Sequence, residues 1–203
     1  MKIFCVGRNY GEHAKELGNE VPEEPVIFMK PKSALLQPNT PFYYPEFSNE
    51  LHYEVEIVLR ICKNGKYIQE RQAPTYYNAI SVGIDFTARD IQAQLKKKGL
   101  PWEKAKAWDN SAVVASWIDA TPDLQRKPIK FSLKKNGNIV QLGDTKYMIF
   151  SFDYIISHIS NFFSLNIGDL IFTGTPAGVG ECVVGDLLEG FIEEKKMFEL
   201  EIK

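Results

Sequence analysis

Five of the eleven prolines in this 203-residue chain stand at positions 22, 25, 31, 38 and 41. Proline fixes φ, lacks a backbone N–H and clashes with the preceding helical turn. Spacing this tight forbids a long helix from 22 to 45 and calls for edge strands and turns. Phe28-Met29-Lys30-Pro31 fits the end of one such strand. The remaining chain is broken up in the same way. Met1–Val6 is apolar and β-prone and stops at Gly7, while His52–Ile61 alternates and is rich in valine and isoleucine. Both patterns predict strands. Asn64-Gly65 reads as a hairpin turn into Lys66–Gln69, Pro74–Ala79 as a helical turn, and Ile80–Ile84 as a short strand ended by Asp85. Phe131–Lys135, Asn136-Gly137 and Ile139–Gln141 give the clearest hairpin, because Asn-Gly suits the left-handed turn that joins twisted strands. Asp169–Thr173 and Phe198–Ile202 are further strands. Helical patterns cover Tyr10–Leu17, closed by Gly18, and Ala88–Lys98, stopped by Gly99 and Pro101. Phe152–Phe163 repeats apolar residues at helical spacing. The expectation is one α+β, predominantly β domain over 1–203.

Hydrophobic residues make up 44% and charged residues 25%, which supplies a core and excludes a disordered or collagen-like chain. A net charge of −2 argues against a nucleic-acid partner held through phosphates. The Lys96-Lys97-Lys98 run reads as a solvated helix end. Cys5, Cys62 and Cys182 are far apart and form no CxxC pair, so neither a disulfide framework nor a zinc site is expected. Charges at Lys2, Arg8, Glu12, Lys15 and Glu16 leave no room for a signal-peptide core. No apolar run is long enough to span a membrane. A soluble, cytoplasmic protein is expected.

The strongest chemical signal is His52-Tyr53-Glu54-Val55-Glu56. On a continuous strand, 52, 54 and 56 share a face. Two carboxylates side by side raise one pKa unless a cation compensates, and oxygen-only ligands suit hard ions such as magnesium, manganese or calcium. A solvated strand face is the competing explanation. Asp85, at a strand end, is either a third carboxylate of that site or the cap of the next helix. His52 fits a neighbour that orients a glutamate. His13 and Glu16 share a helix face and could form a carboxylate-oriented base, or an ordinary surface pair. Lys106 lies among apolar Ala105, Ala107 and Trp108, where its charge could meet an oxyanion or simply snorkel to water. Arg89 and Gln92 fall near the Asp85 face if that segment is helical, and Arg89 could clamp a carboxylate. The loop Thr173–Gly180 lacks a P-loop ending. It suits a small anion held by backbone N–H groups and Thr175, or a structural turn.

These residues occur in blocks. They are Cys5-Val6-Gly7-Arg8-Asn9-Tyr10 with His13 and Glu16, Phe28–Pro31, Leu51–Glu56, Gly83–Gln92, Lys97–Trp102 with Lys106, Met148–Ser151 and Gly168–Gly180. In that order the chain resembles the fumarylacetoacetate hydrolase family, specifically its small single-domain acylpyruvase-like branch. The resemblance implies a mixed β-sandwich roll with few short helices, paired as a homodimer. It implies Mg2+ or Mn2+ held by Glu54, Glu56 and Asp85, and no fourth acidic ligand, since Gly7–Tyr10 carries none. It implies a His13–Glu16 dyad on a mobile lid helix over 10–18, Lys106 as the catalytic cation, and substrate contacts from Arg8, Arg89, Gln92 and Thr175.

The activity implied is metal-dependent hydrolysis of a C–C bond in a small 2,4-dioxo acid, releasing pyruvate and a carboxylic acid. Oxaloacetate decarboxylation and isomerase or hydratase chemistry on 2-oxo acids of aromatic catabolism share the same motifs. A non-catalytic binder of 2-oxo acids is the remaining alternative.

Overall fold

The β-branched runs gather into three sheets. A computed structural model describes residues 1–12, 21–38 and 40–203. Its strands are β1 (Ile3–Gly7), β2 (Val26–Lys30), β3 (Leu51–Tyr53), β4 (Val55–Ile61), β5 (Tyr77–Asp85), β6 (Thr87–Ala88), β7 (Ala112–Val114), β8 (Ile118–Asp119), β9 (Lys130–Lys135), β10 (Asn138–Asp144), β11 (Leu170–Phe172), β12 (Gly180–Glu181), β13 (Leu187–Ile192) and β14 (Lys195–Glu201). The central mixed sheet runs β2-β1-β11-β4-β5-β7, with β8 also on β5. Only β1 and β11 are parallel in it. An antiparallel sheet, β10-β9-β13-β14, packs beside it, and β12-β3-β6 forms a small third. The helices are α1 (Arg89–Lys98), α2 (Glu103–Lys106), α3 (Pro122–Gln125) and α4 (Phe152–Phe162). No described helix is long and apolar enough to cross a membrane.

Local chemistry explains most boundaries. Gly99 ends α1 in the left-handed conformation at φ 62°, accepting no Cβ penalty there. Ser151 starts α4 by accepting a hydrogen bond from Tyr154 N at 3.1 Å. That helix buries Ile155, Ile156 and Ile159, as its apolar spacing requires. Asn136 and Gly137 take φ 53° and 79° between β9 and β10, the left-handed pair that a two-residue hairpin needs. Cys5, Cys62 and Cys182 are free thiols, and Cys5 and Cys182 are fully buried.

Three expectations need correction. His52–Ile61 is not one strand: the chain changes sheets at Glu54, so β3 pairs β6 and β12 while β4 joins the central sheet. Asn64-Gly65 makes no hairpin. Gly65 instead bridges Leu165, a long-range contact that outweighs the local turn signal. The turn expected at Pro74–Ala79 ends at Thr75, and β5 begins at Tyr77, three residues earlier than its apolar run suggested. The lid helix expected over 10–18 reaches beyond the described residues after Glu12, where Gly11 and Glu12 are helical.

Candidate active site

Register brings the acids together. β4 pairs β5 with Val55 opposite Ile84 and Glu56 opposite Gly83. The Asp85 N–H donates to the Glu54 carbonyl at 2.9 Å, extending that pairing by one step. Glu54, Glu56 and Asp85 are all buried, and each offers a carboxylate oxygen within 4.8 Å of the others. Asp85 is therefore not the cap of α1; Ala88 holds that position and no side chain caps it.

Three buried or half-buried cations meet the acids. Lys106 Nζ lies 2.7 Å from Glu54 Oε2 and 2.8 Å from Asp85 Oδ2, and donates to Thr87 Oγ1 at 2.6 Å. Burial alone would depress the Lys106 pKa, but Asp85 and Glu54 outweigh it and hold it above the ordinary lysine value. Arg89 Nη2 lies 2.6 Å from Glu54 Oε1, and Nη1 donates to Gln92 Oε1 at 2.6 Å. Lys30, 1% exposed, lies 2.8 Å from Asp85 Oδ1. It also donates to the Lys106 carbonyl and, at 2.9 Å, to Ser111 Oγ. Lys30 thus steadies both the third acid and the end of α2. The sequence marked it only as part of a motif; the signal was a lysine inside an apolar strand.

His52 meets neither Glu54 nor Glu56 directly: its Nδ1 accepts from Arg89 Nε at 3.3 Å, and its Nε2 lies 3.0 Å from Glu50 Oε1. Burial first, then Arg89, lowers its pKa, which suits a neutral acceptor. The glycine loop also serves the acids. Gly174 N–H donates to Glu56 Oε2 at 2.7 Å, so the small anion it holds is the protein's own carboxylate. Gly174 sits at φ +107° with Asn9 so close that a Cβ would lie 2.6 Å from it. Thr175 Oγ1 accepts from Gln141 Nε2 at 2.9 Å, leaving its hydroxyl hydrogen to donate. Gln141 escaped the sequence reading, and Asn9 entered it only as part of a motif. Each is buried and bonds backbone on two segments: Gln141 takes Val55 N and Pro176 O, Asn9 takes Phe150 O and Thr173 O. Arg8, Glu54, Glu56, Asp85, Arg89, Gln92, Lys106 and Thr175 line one cavity, walled by Phe28 and Trp102. His13 and Glu16 lie outside the described residues.

The site fits a divalent cation. Asp85 Oδ1 is buried and accepts no aligned hydrogen bond despite the nearby Lys30 charge. Burial, then Asp85 and Glu54, pushes the Glu56 carboxyl well above its ordinary range. A hard cation among three carboxylates offsets that repulsion.

The fumarylacetoacetate hydrolase C-terminal domain model matches residues 2–203. The chain belongs to the fumarylacetoacetate hydrolase family. It is 40% identical over 201 residues to the mitochondrial oxaloacetate tautomerase FAHD1 of Mus musculus, covering 99% of this chain and 91% of that one. The Arabidopsis thaliana tautomerase of the same name is 44% identical over 184 residues, 91% of this chain and 82% of its own. The fold superposes at TM-score 0.93 on fumarylpyruvate hydrolase from Pseudomonas aeruginosa in complex with Mn2+ and pyruvate, at 35% identity, covering 100% of this chain and 89% of that one. Members of this family are hydrolases and isomerases that use divalent metals, and the buried acidic triad of this chain is a group that could hold such an ion.

Proposed function

We propose that the protein interconverts the keto and enol forms of a small 2-oxo acid of the oxaloacetate type. The observation that carries this is the buried Glu54–Glu56–Asp85 triad with Lys106 at its centre, in a chain 40% identical to a tautomerase over nearly its full length. Glu54, Glu56 and Asp85 would hold Mg2+ or Mn2+, which when bound polarises a carbonyl oxygen as a Lewis acid. Arg89 and the Gln92 amide, whose oxygen is already taken by Arg89, leave donors for the substrate carboxylate. Thr175 supplies a hydroxyl hydrogen. The protonated Lys106 Nζ, whose three N–H groups are held by Glu54, Asp85 and Thr87, places its positive charge beside the oxygen that gains charge as the C3 proton leaves. His13, oriented by Glu16, carries that proton. Phe28 and Trp102 limit water access. No atom is gained or lost: one proton moves from carbon to oxygen, or back.

Hydrolysis of a 2,4-dioxo acid is the second reading. The Pseudomonas aeruginosa hydrolase at TM-score 0.93 favours it. There the same dyad would deprotonate water, which attacks the distal carbonyl before the C–C bond breaks. One experiment separates them. The Mn2+-loaded protein and an EDTA control are given enol-oxaloacetate in one cuvette and acetylpyruvate in the other. Metal-dependent loss of the enol absorbance with total oxaloacetate conserved supports tautomerisation. Pyruvate released from acetylpyruvate at the greater rate supports hydrolysis, and pyruvate from oxaloacetate indicates decarboxylation. Equal rates with and without EDTA would sink the metal assignment.

A further inference from the structure

One side chain beside the site runs against the pattern of its own strand. On β10, Ile139 and Leu142 are 55% and 69% exposed, while Gln141 is 1% exposed. A β-bulge accounts for the inversion. Ile139 pairs with Lys134 and Gln141 with Leu133, so Val140 is an extra residue and the register shifts there. Bulges re-aim side chains, and this one turns a glutamine inward. The loop after β11 rests on the same spot: a Cβ on Gly178 would collide with the Val140 carbonyl.

The Gln141 amide fits only one way round. The chain changes sheets at Glu54, and β11 pairs β4 only from Val58 to Arg60. The Val55 N–H, between two of the acids, therefore has no strand to pair with on that side. It donates to Gln141 Oε1 at 2.9 Å. A peptide N–H cannot accept, so the amide oxygen must face it. Nε2 then faces the loop and uses both its hydrogens, one on the Pro176 carbonyl and one on Thr175 Oγ1, each at 2.9 Å. The Thr175 oxygen thus accepts on the side away from the cavity that it lines with Glu54, Arg89 and Lys106. Among the described residues, no acceptor takes its hydroxyl hydrogen.

We infer that Gln141 is a positioning residue: it holds the Thr175 hydroxyl hydrogen toward the cavity, as a donor to a substrate oxygen. This rests on the 2-oxo acid reading above. The direction is inherited from a group that cannot reverse, passing from the Val55 N–H to the amide, from the amide to the hydroxyl and from the hydroxyl to the ligand. Hydrogen bonds in such a chain polarise one another. Without the amide the hydroxyl rotates freely and presents a lone pair as readily as its hydrogen.

Pyruvate binding to the Mn2+-loaded protein tests this, read from the water-proton relaxation that the bound Mn2+ causes. Thr175→Val keeps the shape and removes the hydroxyl. With Gln141 in place it should weaken pyruvate binding about tenfold, the worth of one hydrogen bond to a charged group. In Gln141→Glu the carboxylate still accepts from Val55 but draws the hydroxyl hydrogen to itself, so adding Thr175→Val should cost less than about threefold. Gln141→Met adds no charge and leaves the hydroxyl undirected; it should give the same small cost, and it replaces Gln141→Glu if that variant loses Mn2+. A glutamine that merely braces the loop predicts the full tenfold loss from Thr175→Val in every background, and that result overturns the inference. So does an unchanged affinity in Thr175→Val or in Gln141→Met. Thr175→Ser, tested with Gln141 intact, should stay within about threefold of the parent; a loss equal to that of Thr175→Val overturns the inference as well. Failure of the parent itself to bind pyruvate would instead overturn the 2-oxo acid reading.

Discussion

At the floor of the cavity, Lys30 and Lys106 are 1% and 3% exposed, and each lies against a carboxylate at 2.8 Å or less. At the mouth, Arg8 and Lys96 are half-buried and form no ion pair with a described acid. The floor sits on β4 and β5 in the middle of the central sheet, where register fixes the acids to within one hydrogen bond. The mouth sits on the turn after β1 and the last turn of α1, at the edges of the same scaffold. The difference separates two jobs. Charges that must hold a cation and a reacting oxygen are neutralised against one another and locked. Charges that must meet an arriving ligand are left uncompensated and nearer to water.

The largest effect should follow from breaking the floor at Glu56. Glu56→Gln keeps the shape and the Gly174 hydrogen bond but removes one charge. Mn2+ affinity, measured by titration, should fall by at least about 100-fold, since even the loss of an outer partner costs about 10–100-fold. Turnover should fall with it. Full activity would mean that the triad holds no functional metal.

Lys30→Met tests whether the floor is a locked unit. It leaves the buried Asp85 with Lys106 alone. Removing one partner of a buried pair costs about 3 kcal/mol, which at this chain length lowers Tm by roughly 6–12 °C. A scanning calorimetry shift under about 2 °C would show that Lys30 is not part of that unit. Gly174→Ala should act on the same floor from the other side. The added Cβ meets Asn9 at 2.6 Å and the φ of +107° is strained for alanine, so the loop must shift and Glu56 must lose its N–H donor. A turnover loss of about tenfold is expected, at unchanged Mn2+ stoichiometry.

The same contrast governs what could be read from the sequence. Glu54, Glu56 and Asp85 were legible because spacing and strand ends are local features, and the blocks around them occur in a recognisable order. The hairpin at Asn136-Gly137, the stop at Gly99 and the helix over Phe152–Phe162 were legible for the same reason. Lys30, Asn9 and Gln141 were not. Each acts on residues more than 70 positions away, and nothing nearby in sequence announces a partner so remote. Asn64-Gly65 failed in the opposite sense: its local turn signal lost to the pairing of Gly65 with Leu165. Lys96 was misread as solvated because composition around it is uniform. Only the helix face, set by the Trp102 wall, distinguishes it from Lys97 and Lys98.

The smallest expected effect belongs to the mouth in the absence of ligand. With its pKa lowered to about 8, folded Lys96 releases a proton near pH 8 that the unfolded chain keeps until about 10.5. Between those values the unfolded state binds more protons, so this group makes stability rise with pH. Below pH 8 it opposes folding by a constant amount, and above about 10.5 it does neither. Lys96→Met removes that slope. Denaturant unfolding of both proteins at pH 7.5 and pH 10 isolates the group, because every other lysine and tyrosine titrates alike in the two. The variant should gain on the parent at pH 7.5 and lose that gain by pH 10. The change should stay below about 1 kcal/mol, since a half-exposed charge is well screened. A stability difference that does not vary with pH would mean that neither burial nor the neighbouring cations perturb Lys96, and the contrast with the neutralised floor would fail.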